Sequence, residues 1–135
     1  MSSNSQRLLL PSELKNHPDV NSLLTREAGG KARNLYRMTS HGFPVPAWFC
    51  VSASSFQEFV RHNGLRVELE RMQSMPLDQF EAQAKHIEEI FLKGNLSPDL
   101  EGEIQNALKE LDLHDCFVAV RSSGLDEDSA ANSFA

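Results

Sequence analysis

Apolar residues recur at helical spacing through most of the chain and gather into continuous runs at only a few places. Met1 to Gln6 is polar and is expected to be loose. Arg7 to Leu10, ahead of Pro11, reads as a short strand. From Gly30 the pattern turns helical, with Ala32, Leu35 and Tyr36 on one face and Arg33, Asn34 and Arg37 away from it. Gly42 suits a left-handed C-terminal cap, and Pro44 and Pro46 keep that helix from resuming. Trp48 to Val51 is then an unbroken apolar run bounded by turn residues, which predicts a buried strand.

Helices follow. Ser55 and Glu58 form a capping-box pattern ahead of a face built from Phe56, Phe59 and Val60. Asn63-Gly64 ends that segment, and Leu65 to Met72 predicts a further helical piece. Leu77, Phe80, Ala84, Ile87 and Phe91 mark an amphipathic helix over Leu77 to Lys93, closed by Gly94. Ser97-Pro98 supplies an N-cap and a first-turn proline for a helix with Leu100, Ile104, Ala107, Leu108 and Leu111 inward. Cys116 to Val120 predicts a second buried strand, leading into the polar run Arg121 to Asp128. The whole is an α+β pattern, helix-rich with a small sheet, and it reads as incomplete.

A chain of 135 residues, 40% apolar, fits one domain with a sizeable core. Its net charge of −6 argues against a general nucleic-acid or anionic-membrane binder. The apolar runs fall far short of the ~18 residues that a membrane span needs. Met1 to Gln6 carries no charged side chain and Leu8 to Leu10 is too short for the core of a secretory signal. Cys50 and Cys116 form no disulfide framework and lack metal-ligand spacing. The expectation is a cytoplasmic protein whose two cysteines are thiols inside buried strands.

Charge placement says more than the total. Residues 26 to 37 hold Arg26, Lys31, Arg33 and Arg37 against Glu27, whereas 99 to 115 hold six acids against Lys109. The acidic stretch reads as a solvated helix face. Lys31 and Arg33, however, lie in a first helical turn, where the macrodipole disfavours a cation by ~0.3–1 kcal/mol. A bound anion reverses that penalty. Gly29-Gly30-Lys31 offers backbone that can approach a ligand, outward N–H groups and a mobile positive charge, the makings of a phosphate site at a helix start. It is not a Walker A loop, whose glycine spacing is longer and whose lysine is followed by Ser or Thr. A plain turn with a surface lysine fits the same residues.

Val118-Ala119-Val120-Arg121-Ser122-Ser123 delivers an arginine fork and two hydroxyls at the end of a predicted strand, where ligands often bind. An exposed arginine with a Ser-Ser turn is the other reading. Asp126, Glu127 and Asp128 follow without the EF-hand spacing, and fit a solvated turn as well as a cation site.

Order changes the weight of these signals. Gly29-Gly30-Lys31-Ala32-Arg33-Asn34-Leu35 comes first, then Gly42-Phe43-Pro44-Val45-Pro46. Val120-Arg121-Ser122-Ser123 follows, with Glu127-Asp128 and Ser133-Phe134-Ala135 behind it. The series resembles the N-terminal nucleotide-binding region of the phosphoenolpyruvate synthase and pyruvate phosphate dikinase family, and rifampin phosphotransferases carry a similar region. The resemblance covers about Arg26 to Ala135, leaving 1–25 as a partly loose N-terminal segment. It implies the first lobe of an ATP-grasp domain over 26–135, which closes with a second lobe on ATP and Mg²⁺.

By that resemblance Lys31 and Arg121 contact the ATP phosphates. Gly29, Gly30, Ser122 and Ser123 support the loop, and Glu127 and Asp128 order it. The family's metal-binding acids and its phosphate-carrying histidine lie beyond Ala135. His17, His41, His62, His86 and His114 match no family motif. Gly124 stands where the family has alanine and Ser129 where it has leucine, so a looser loop is expected. The second lobe and the phosphohistidine and pyruvate domains are absent, which reads as a fragment or a truncated reading frame.

The implied function is the ATP-binding part of a phosphoenolpyruvate synthase-like phosphotransferase, with pyruvate reached only through absent domains. The alternatives are a non-catalytic nucleotide- or partner-binding module and the ATP lobe of a rifampin phosphotransferase-like enzyme.

Overall fold

The computed structural model describes residues 6–125, and among them the chain forms seven helices and a two-stranded sheet. Strand β1 (Leu8–Leu9) pairs antiparallel with β2 (Cys50–Val51), Leu8 opposite Val51 and Leu9 opposite Cys50. The Ser52 N–H donates to the Arg7 carbonyl at 2.9 Å and extends the ladder by one bond. Helices α1 (Pro11–Leu14), α2 (Val20–Glu27) and α3 (Gly29–Ser40) separate the two strands. Helices α4 (Ala53–His62), α5 (Leu65–Gln73), α6 (Leu77–Lys93) and α7 (Pro98–Glu110) follow β2.

The sheet is covered on both faces, which is why its residues read as continuous apolar runs and not as an alternation. Leu9, Trp48 and Cys50 face the layer made by Leu14, Val20, Leu23, Leu24, Ala28, Ala32 and Tyr36. Leu8, Leu10 and Phe49 face Leu100, Ile104 and Ala107 of α7 on the other side. Two-residue periodicity is therefore intact, with apolar neighbours on each face, and water reaches the sheet at Val51. Helix α3 ends as its sequence requires: Gly42 takes φ +77° and the Phe43 N–H reaches back to the Met38 carbonyl at 3.1 Å.

Helices α4, α5 and α6 form the rest of the body. Phe91 lies with its ring centre 4.9 Å from that of Phe59 and 5.9 Å from that of Phe56. Gln83, buried between α5 and α6, donates to the Glu68 carboxylate at 2.8 Å and to the Glu68 carbonyl at 3.2 Å.

Arg7 ties this body to the sheet. Its guanidinium donates to Glu58 of α4 and Glu103 of α7, each at 2.8 Å, and lies 3.5 Å from Asp99. The Ser97 hydroxyl donates to the second Glu58 oxygen while accepting from the Leu100 N–H as the cap of α7. The Ser97 hydroxyl first, and Arg7 second, hold the Glu58 carboxyl below the usual carboxylate range.

Four sequence expectations need correcting. The cap of α4 is Ser52, whose hydroxyl accepts from the Ser55 N–H at 3.2 Å, and not Ser55. Ser55 instead donates to the Arg7 carbonyl at 2.8 Å, and Glu58 serves Arg7 and Ser97, so the local capping-box pattern yields to tertiary bonds. The strand expected over Trp48 to Val51 is confined to Cys50–Val51, with Val51 exposed. Leu77, expected inward, is 89% exposed at the first position of α6.

The largest departure is at Cys116 to Val120, which is irregular and exposed, with Phe117 fully open to solvent. A strand needs a neighbour's ladder, and the sheet among the described residues contains only β1 and β2. Met1 to Ser5 lies outside the described residues, as does everything from Asp126 onward.

Candidate functional site

The site region is built on the joint between α2 and α3. Ala28 closes α2, donating its N–H to the Leu24 carbonyl at 3.0 Å, and is at once the N-cap of α3. Gly29 makes the turn with φ +69°, a left-handed conformation that costs a residue with a Cβ roughly 1 kcal/mol or more. Onto this joint folds the segment after the exposed apolar run. The Ser123 hydroxyl donates to the Ala28 carbonyl at 2.7 Å and accepts from the Ala32 N–H at 3.2 Å, bridging the start of α3. A Cβ on Gly29 would collide with the Ser123 carbonyl oxygen and stand 2.6 Å from that of Gly124. The missing side chain of Gly29 is thus where another part of the same chain crosses.

Gly30 is buried and Lys31 half-buried in the first turn of α3. Arg121 and Ser122 are exposed. Arg121 is two residues from Ser123, so its backbone lies within about 7 Å of it. Lys31 directly precedes Ala32 in α3. The two sequence motifs therefore meet, with Ser123 as their point of contact. Asp126, Glu127 and Asp128 lie outside the described residues, so nothing is placed for the acidic pair.

Sequence reasoning missed two supports of this joint. Glu27, the last residue of α2, accepts from the Ser54 N–H at 2.8 Å and from the Ser54 hydroxyl at 2.9 Å, holding the first turn of α4 against the α2–α3 joint. Cys50 sits behind it, with its sulfur 3.9 Å from the Ala28 carbonyl oxygen. Neither has a local signature, because each partner is more than twenty residues away. Among the described residues no group of three or more His, Cys, Asp or Glu side chains could hold a metal ion. A shallow cleft of about 280 Å³, lined by Asn63, His86, Glu89, Ile90, Lys93 and Gly94, includes none of the motif residues.

Both cysteines are free thiols, but only Cys50 is shielded; Cys116, expected in a buried strand, is exposed because that strand does not form. Burial pushes the Cys50 thiol up to about 11. Native-state alkylation at pH 8 is therefore expected to label Cys116 at least about tenfold faster than Cys50. Equal rates by mass spectrometry would contradict the burial of Cys50.

The joint of two glycines and a lysine and the segment carrying Arg121, Ser122 and Ser123 are thus one region of the fold. The chain belongs to the family described as pyruvate phosphate dikinase, AMP/ATP-binding domain, whose model matches residues 25–135. It is 32% identical over 116 residues to a protein of Methanothermobacter thermautotrophicus named "Probable phosphoenolpyruvate synthase". It is 31% identical over 120 residues to the phosphoenolpyruvate synthase of Aquifex aeolicus. It is 30% identical over 108 residues to the prodigiosin synthesizing transferase PigC of Serratia marcescens. These matches cover 80%, 80% and 79% of this chain but only 17%, 14% and 11% of the relatives. No solved structure matches.

Proposed function

We propose that residues 26–135 form the first lobe of an ATP-grasp domain and supply the ATP-binding part of a phosphoenolpyruvate synthase-like phosphotransferase. Residues 8–24 join this lobe through the leucines of β1, α1 and α2. Lys31 and Arg121 meet the ATP phosphates, dispersing charge that phosphoryl transfer develops. Gly29, Gly30, Ser122 and Ser123 shape their loops, and Glu127 and Asp128 order the end of the second. The observation that carries this reading is the seating of Ser123 on the first turn of α3, in a chain of this family.

In the whole enzyme ATP would phosphorylate an internal histidine, which passes the group to pyruvate, and the protein ligands for Mg²⁺ come from outside this chain. We place the enzyme in the cytoplasm. No helix among the described residues is long and apolar enough to cross a membrane.

A second reading keeps the ATP lobe and changes the acceptor. The match to the Serratia transferase is nearly as high as those to the synthases, so this region does not separate acceptors. A rifampin phosphotransferase-like enzyme fits it equally, and a non-catalytic nucleotide-binding module is the remaining form.

Titration of the isotope-labelled chain with ATP tests the site. Weak binding is expected, with amide shifts concentrated at 29–33 and 121–124, because a half-open site leaves the nucleotide solvated. The chain alone is expected to transfer no phosphate to pyruvate. Shift changes confined to other regions, or steady-state transfer by this chain, would overturn the reading.

A further inference from the structure

Two features at the α2–α3 joint ask for a cause. Ser123 makes both of its hydroxyl bonds to backbone of one helix start, accepting from Ala32 and donating to Ala28. Gly29 provides the only kind of surface on which the Ser123 and Gly124 carbonyls can lie so close to a helix. The apolar run just before this segment gives it little purchase, since Phe117 is fully exposed and Val120 93% exposed. Placement of the segment therefore rests heavily on Ser123 and Gly29. Arg121 is two residues upstream of that anchor and exposed. Arg121 is thus tied through two residues to the anchor while staying exposed, and Lys31 lies beside the anchor in α3.

We infer that Ser123 is a positioning residue: its hydroxyl, seated against Gly29, fixes the backbone of Arg121 beside Lys31 so that both cations reach one polyphosphate. This deepens the proposed nucleotide site and rests on it. Ser123 itself touches no phosphate. Its single proton is donated to the Ala28 carbonyl at 2.7 Å and one lone pair accepts from the Ala32 N–H, so it has no proton to offer a phosphate oxygen. Losing the hydroxyl leaves the charges of Lys31 and Arg121 in place but frees one relative to the other, so affinity falls through lost pre-organisation.

The test measures ATP affinity by amide shifts in the 135-residue chain, at a temperature where every variant is folded. Ser123→Ala is expected to weaken ATP about tenfold, as for loss of one well-made polar anchor. Ser123→Thr, which keeps the hydroxyl, is expected to recover most of it. Gly29→Ala, which leaves Ser123 intact but displaces its backbone, should mimic Ser123→Ala. Leu100→Ala, on the α7 side of the sheet, should lower Tm and leave ATP affinity unchanged.

Wild-type affinity in Ser123→Ala, or an equal loss in Leu100→Ala, overturns the positioning role while leaving the nucleotide site standing. ATP shifts in the wild type that avoid both 29–33 and 121–124 overturn the site itself, and the inference with it.

Discussion

Replacing Gly29 by alanine is expected to destabilise the chain by about 2–4 kcal/mol, the sum of a left-handed conformation and an overpacked contact. The first part follows from φ +69°, which no neighbouring residue can relieve because Ala28 and Gly30 belong to the ends of α2 and α3. The second follows from the carbonyl oxygens of Ser123 and Gly124, which are backbone and cannot swing away as a side chain would. Relaxation by undocking the segment sacrifices the two Ser123 bonds, worth about 0.5–1.5 kcal/mol each. Either way the loss is a large fraction of the ~5–15 kcal/mol that stabilises an ordinary domain. Gly64, also at φ +69° but with nothing within 4 Å of its Cβ position, is the control: Gly64→Ala carries the strain alone and should cost less. Urea unfolding of the two variants decides it. An unchanged midpoint for Gly29→Ala would show that the segment does not press on Gly29.

The sequence was most legible where the signal is local. The bounds of α6 and of the Ser97-capped α7 fall where the sequence puts them, since Gly94, Ser97 and Pro98 act within a turn of the helices they bound. Leu77, Phe80 and Phe91 of the expected apolar face of α6 are nevertheless exposed. Legibility failed wherever a distant partner decides. Ser52 takes the cap that Ser55 seemed to own, because the Ser55 hydroxyl is committed to Arg7, 48 residues away. Phe117-Val118-Ala119-Val120 has the composition of a core strand, but composition cannot supply the ladder, and the segment stands exposed.

The glycine-lysine and arginine-serine motifs were visible as separate candidates, and only their order tied them to one family. That Gly29 meets Ser123 could not be read from either motif alone, since the contact depends on the fold that brings them together. Gly29 was legible as a residue that admits close approach. What approaches it here is the chain's own backbone.

On the proposed ATP site, Lys31→Ala and Arg121→Ala, each in the complete enzyme proposed above, are expected to cost ~1.5–3 kcal/mol of ATP binding or transition-state stabilisation, the range for hydrogen bonds to charged groups. That is roughly tenfold to 150-fold in affinity or rate. The double variant should fall short of the sum, because two cations on one polyphosphate share a ligand and the second loss acts on a site already loosened. The geometry sets the condition for such coupling: Ser123 bonded to Ala28 and Ala32 keeps the Arg121 backbone beside the turn that carries Lys31. The contribution of each residue should also split differently. Lys31 is half-buried on a helix, whereas Arg121 is exposed on irregular chain. Arg121→Lys, which keeps the charge and loses the planar fork, should therefore recover less than Lys31→Arg if bidentate phosphate contact is what Arg121 supplies. Full additivity in a double-mutant cycle would place the two residues on separate sites. Turnover unchanged in both single variants would remove them from the reaction altogether.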